Sequence, residues 1–80
     1  MGVNAISVEN GLTDIDWDTV QVNKAMIHAA KQTALLTISE KLNTSKRYKV
    51  ADLSEISYLI TEMNPEEKCL NRYHEKIMVL

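Results

Sequence analysis

The longest uninterrupted pattern in the chain runs from Trp17 to Leu42 and reads as one helix. It holds no Gly or Pro and is rich in Ala, Leu, Lys and Gln, residues that give up little on entering a helix. At 1.5 Å per residue it would extend about 39 Å. Laid out at 100° per residue, it carries two apolar stripes. Trp17, Val20, Ile27, Ala34, Leu35, Ile38 and Leu42 form a bulky stripe suited to a core seam, with Lys24 and Lys31 along its rim and only their stems covered. Val22, Ala25, Met26, Ala29, Ala30 and Leu36 form a roughly opposite stripe of mostly small side chains, which lets another helix approach closely. A helix buried on two sides needs more surface than a chain of 80 residues readily supplies. The small-residue face is therefore expected to meet a second copy of the protein, the plain alternative being that one chain wraps both faces.

Thr13, Asp14, Asp16 and Asp18 supply cap oxygens and negative charge where unpaired backbone N–H groups and the helix dipole favour them. The same acids imitate the opening of a calcium loop, but the sixth and twelfth positions counted from Asp14 hold Thr19 and Ala25 instead of Gly and Glu. Beyond Leu42, Asn43-Thr44-Ser45 reads as a stop. Asp52 and Glu55 then form a capping box ahead of apolar residues at Leu53, Ile56, Ile60 and Met63. Pro65 closes that helix and opens a third, capped by Asn64 and led by Glu66 and Glu67, which buries Cys69 or Leu70, then Tyr73, Ile77 and Leu80.

The expected fold class is all-α, a long N-terminal helix packed against two shorter ones in a dimeric helical bundle. Its helices fall at about 16–42, 52–63 and 65–79 within a single domain, 13–80. If Pro65 only kinks the chain, the result is a two-helix hairpin. Residues 1–12 lack helical period, end in an Asn10-Gly11 turn signal and are expected to be a loose tail; Val3, Ile6, Val8 and Leu12 are alternatively placed over the core or in a short strand with a partner chain.

Charge adds detail to that picture. The net charge is −2, but the segment from Gln21 to Val50 is basic and lies between two acidic ones. Lys46, Arg47, Tyr48 and Lys49 form a cationic loop with one stackable aromatic ring, a candidate grip for phosphate or an acidic protein, or simply a solvated loop. Lys68, Arg72 and Lys76 recur every four residues as a candidate basic ridge, with a solvated face as the plain reading. One cysteine excludes an intrachain disulfide, and no apolar run is long enough to span a bilayer, so a cytoplasmic protein is expected.

The search for chemistry returns negatives. Cys69 and His74 point about 140° apart on a helix and cannot act as nucleophile and base. His28, Cys69 and His74 lack a fourth metal ligand, and no Gly-rich loop offers a phosphate cradle. The reading is therefore no enzyme, no metal and no cofactor. It leaves a small protein–protein interaction module, a regulator, inhibitor or adaptor acting as a homodimer. The alternative is a small DNA-binding transcriptional regulator using the basic loop and the third helix; no membrane partner is expected.

Overall fold

The helix that begins at Trp17 stops at Ala29, and the chain beyond it turns into sheet. The computed structural model describes residues 1–80 and is mixed α/β. Its elements are β1 (Ala5–Ser7), β2 (Gly11–Asp14), α1 (Trp17–Ala29), β3 (Ala34–Leu36), β4 (Tyr48–Ala51), β5 (Tyr58–Ile60), α2 (Asn71–His74) and β6 (Met78–Val79). Single 3-10 turns lie at Ser39–Lys41, Leu53–Glu55 and Lys68–Leu70. The all-α bundle is thus overturned, and with it the long helix and the two shorter ones packed against it. A helix of about 39 Å would also have outrun the longest dimension of the Cα trace, 34 Å.

The correction has a physical cause in each segment. α1 starts as its sequence dictates, with Asp16 accepting from the Asp18 N–H at 3.0 Å and from the Thr19 hydroxyl at 3.0 Å. After Ala30, whose backbone is extended, Ala34-Leu35-Leu36 has good helix propensity but finds backbone partners on both sides. The Met1 amino group donates to Ala34 O at 2.9 Å, Leu36 N donates to Met1 O at 2.8 Å, and β5 pairs in parallel on the other flank. Long-range pairing outweighs a propensity of a few tenths of a kcal/mol per residue. In the expected second helix, the Glu55 carboxylate does reach back to Asp52 N at 2.9 Å. That cap opens only one 3-10 turn before Tyr58-Leu59-Ile60, aromatic and branched, joins the sheet. The expected third helix is reduced to a 3-10 turn and the four residues of α2, and Met78–Val79 adds a last parallel strand.

Two three-stranded sheets result, β1-β2-β4 antiparallel and β3-β5-β6 parallel. The first twelve residues are not a loose tail, since Val3, Ala5, Ile6 and Leu12 are buried and β1 and β2 form a hairpin. Gly11 makes that hairpin possible against β4. Its φ is +70°, and a Cβ there would lie 2.2 Å from Ala51 O. One continuous cluster of 16 buried apolar residues joins both sheets to α1 and α2, so they share a core. Trp17 and Ile38, expected in the core seam, are instead half exposed, while Val20, Ile27, Leu35 and Leu42 are buried.

Tyr73 ties the C-terminal segment to the first sheet. Its ring is fully buried, and its hydroxyl accepts from Asn43 N at 3.0 Å and lies 2.9 Å from Asn43 Oδ1 and 3.3 Å from Ile6 O, the acceptors for its one proton. Asn43 has φ of 61°, a left-handed turn that Asn tolerates better than most residues. Tyr73→Phe leaves these polar groups without their partner and is expected to cost about 1–3 kcal/mol in chemical denaturation. Burial raises the Tyr73 pKa above its ordinary 10.0. Its neutral form is favoured by folding, so its contribution is complete below about pH 10 and is lost as pH rises further. The gap between the native protein and Tyr73→Phe should therefore narrow in alkali; a constant gap would contradict this assignment.

Candidate functional site

In a parallel sheet every strand delivers its carboxyl end to the same edge, and loops leaving that edge form a crevice. Here the edge is built by β3 and β5. Leu36 pairs with Ile60, and Thr37 N donates to Ile60 O at 3.0 Å, which holds the two outgoing segments side by side. Gly2–Asn4, running on from the Met1 pairing with β3, forms one wall, and Asp14 at the end of β2 forms another. The resulting cleft has a volume of about 770 Å³, within the range of small-molecule sites. Val3, Leu36, Ile38 and Ile60 give it apolar lining, and Asn4, Asp14, Thr37, Lys41, Thr61 and Glu62 supply polar groups.

Hydrogen bonds fix most of those polar groups. Glu62 accepts from Ser39 N at 2.8 Å, from the Ser39 hydroxyl at 2.7 Å and from the Thr61 hydroxyl at 2.7 Å, bracing the loop after β3 against the loop after β5. The Ser39 and Thr61 hydroxyl bonds pull the Glu62 pKa from 4.5 to about 2, so the carboxylate is charged across the physiological range. Asp14 is buried, and one of its oxygens accepts from Ile15 N at 2.7 Å and Asp16 N at 3.2 Å. Lys41 closes the 3-10 turn after β3 and is the one basic side chain among the lining residues. The arrangement offers carboxylate, amide and hydroxyl partners for a polyhydroxylated molecule and a single cation for an anionic group.

Of the residues named from the sequence as candidates for interaction, only Leu36 lines this cleft; Val3, Asp14, Ile38 and Ile60, which also line it, were read as structural positions. Lys46 and Arg47 are exposed, Lys49 is paired with Asp52, and Tyr48 meets the exposed Trp17 edge to face at 5.2 Å with Arg47 over its ring. Lys68, Arg72 and Lys76 fall on a 3-10 turn, α2 and the turn after it, not along one helix, and Arg72 is paired with Glu9. Cys69 lies 3.8 Å from the Met63 sulfur, and His74 Nε2 lies 2.7 Å from Pro65 O, so these two groups face different neighbours. Val22, Ala25, Met26 and Ala29 lie exposed along α1, and Ala30, just past its end, is exposed as well. The signal for the cleft that sequence reading missed is a repeated phrase. Leu35-Leu36 and Leu59-Ile60 are two short apolar runs, each followed directly by Thr, with Ser39 two residues beyond the first Thr and Glu62 directly after the second.

A mixed α/β domain with an open crevice at the carboxyl edge of its parallel strands has the architecture in which α/β proteins place ligand sites. Residues 1–63 match the DeoR C terminal sensor domain, and the chain belongs to that family. It is 33% identical over 66 residues to the glycerol-3-phosphate regulon repressor of Haemophilus influenzae, which covers 82% of this chain and 26% of that protein. It is 37% identical over 67 residues to the HTH-type transcriptional repressor GlcR of Bacillus subtilis strain 168, 84% of this chain and 26% of that one. It is 31% identical over 62 residues to a putative aga operon transcriptional repressor of Escherichia coli O157:H7, 78% and 23% respectively. The chain spans about a quarter of the length of these relatives. They are bacterial transcriptional repressors, so the chain is related to regulators and not to free-standing interaction modules, and the domain is a sensor, not an enzyme. No helix is long and apolar enough to cross a membrane.

The Glu62 bridge has a measurable signature. Stability that rests on ionised Glu62 is complete above about pH 4.5 and is lost as pH falls toward about 2, because the folded-state pKa lies below the ordinary one. Glu62→Gln should flatten that part of the acid limb in urea unfolding followed as a function of pH. An acid limb identical to that of the native chain would contradict the bridge.

Proposed function

We propose that this chain is the effector-sensing part of a bacterial transcriptional repressor, and that its cleft takes a small phosphorylated polyol or sugar. The observation that carries the reading is the lining of the cleft. Lys41 is its one cation, set among Asn4, Asp14, Thr37, Thr61 and Glu62 beside the carboxyl ends of two parallel strands. Lys41 meets the phosphate, while Asp14, Asn4 and the threonine hydroxyls bond the ligand's hydroxyl groups. The name of the Haemophilus influenzae relative, a repressor of a glycerol-3-phosphate regulon, supports this ligand chemistry. A repressor acts on the chromosome, which makes the bacterial cytoplasm its compartment.

The transcriptional reading that the sequence offered second thus becomes the first, with a different part assigned to this chain. The third helix on which the sequence reading placed DNA recognition is reduced to α2, which has only four residues. The basic loop and ridge have no such helix to carry them, so DNA recognition is assigned outside this chain and ligand recognition within it.

Calorimetric titration of the chain with glycerol 3-phosphate, glucose 6-phosphate, glycerol and inorganic phosphate tests the proposal. At least one of the two phosphorylated compounds should bind more tightly than glycerol or phosphate alone. Lys41→Ala should weaken it by about tenfold to a hundredfold, as expected for losing one charge-assisted contact. Failure of both phosphorylated compounds to bind the folded chain, or equal binding by Lys41→Ala, would contradict it.

A further inference from the structure

Resting on the reading of the cleft just given, we propose that its phosphorylated ligand is an amino sugar phosphate, and that Asp14 selects it by receiving the ligand's ammonium group. Asp14 is only 7% exposed, which is unusual for a carboxylate. Its Oδ1 accepts from Ile15 N at 2.7 Å and Asp16 N at 3.2 Å, an Asx turn at the end of β2 that fixes the direction of the side chain. Those two bonds are the only ones it makes, and both fall on Oδ1. No buried side-chain polar atom is left without a partner, so Oδ2 is an open acceptor, and the space that Asp14 lines is the cleft. The chain supplies this carboxylate with no cation, since its ion pairs are Lys49 with Asp52 and Arg72 with Glu9.

The other charged groups of the cleft sharpen the argument. Glu62 spends both oxygens on Ser39 and Thr61, so it adds negative charge while its hydrogen-bonding capacity serves the loops. Lys41 takes part in neither ion pair and is free to meet the phosphate. The lining thus sets two carboxylates against one cation, and a phosphate brings a further charge of about −1.5 to −2 at neutral pH. A ligand with hydroxyls alone would leave the nearly buried Asp14 facing that excess with a neutral partner. An ammonium group on the ligand changes both terms. It supplies the missing countercharge, and it turns a neutral hydrogen bond to Oδ2 into a charge-assisted one, roughly twice as strong. The cleft therefore suits a ligand that is anionic at one end, toward Lys41, and cationic at another, toward Asp14. Asp14 acts here as a specificity-determining residue, and the threonine hydroxyls and Asn4 remain for the sugar's hydroxyl groups.

Calorimetric titration with matched pairs tests this, in mildly acidic buffer where the ligand amine is protonated. Glucosamine 6-phosphate is compared with glucose 6-phosphate, and galactosamine 6-phosphate with galactose 6-phosphate, so that each pair differs only in amine against hydroxyl. In at least one pair the amino member should bind about tenfold more tightly. Asp14→Asn keeps an oxygen for the Ile15 and Asp16 amides and puts an NH2 donor where Oδ2 stood. With its circular dichroism unchanged from the native chain, that variant should erase the difference within the pair. Hydroxyl members that bind the native chain as tightly as their amino partners in both pairs would overturn this inference and leave the reading of the cleft intact. A preference for the amine that survives in folded Asp14→Asn would overturn the role of Asp14. Binding of none of the four compounds would overturn the reading of the cleft, and this inference with it.

Discussion

The parallel pairing of β3 with β5 is the constraint on which the rest of the structure depends. It sets Leu36 beside Ile60 and sends Thr37 and Thr61 out of the same sheet edge. Strand pairing alone would leave those loops free to splay. Glu62 closes them, because its carboxylate takes both the backbone N–H and the hydroxyl of Ser39. The cleft is thus a consequence of how two three-residue strands end, and its walls are held by the same hydrogen bonds that define its polar surface.

The remaining elements keep that edge in place. The antiparallel hairpin of β1 and β2 carries Asp14 to the cleft and needs Gly11 to approach β4 closely. Tyr73 joins the C-terminal segment to Ile6 of the first strand and to Asn43, closing the core between them. α1 covers one flank with a narrow buried stripe, leaving its Ala-rich side outward. The cleft and the outward side of α1 therefore fall on separate surfaces of one small core.

What the sequence made legible were the signals that act locally. Asp16 caps α1, Asn10-Gly11 turns a hairpin, Glu55 bonds back to Asp52, and Asn64 accepts from Glu66 N at 3.0 Å ahead of a turn. The same signals misled where they were extended into whole helices, because a cap fixes where a helical turn begins and not how far it runs. β3 and β5 are each three residues long, too short for period-two alternation, and buried parallel strands read as continuous apolar runs that a helix also accepts. Leu35 and Leu42 were correctly marked for burial, yet by an angular layout that assumed a helix where the chain is strand and turn. The cleft was hidden for a related reason. Its residues come from segments near Gly2, Asp14, Thr37 and Thr61, and only the sheet brings these together.

Mapping where a phosphorylated polyol touches the chain tests the central claim most directly. In a heteronuclear amide spectrum titrated with glycerol 3-phosphate and glucose 6-phosphate in turn, the shifts produced by whichever binds should concentrate at Gly2–Asn4, Asp14, Leu36–Lys41 and Ile60–Glu62. Shifts centred instead on Lys46–Lys49 or on Lys68–Lys76 would place the anion on the exposed basic surfaces and contradict the assignment of the cleft.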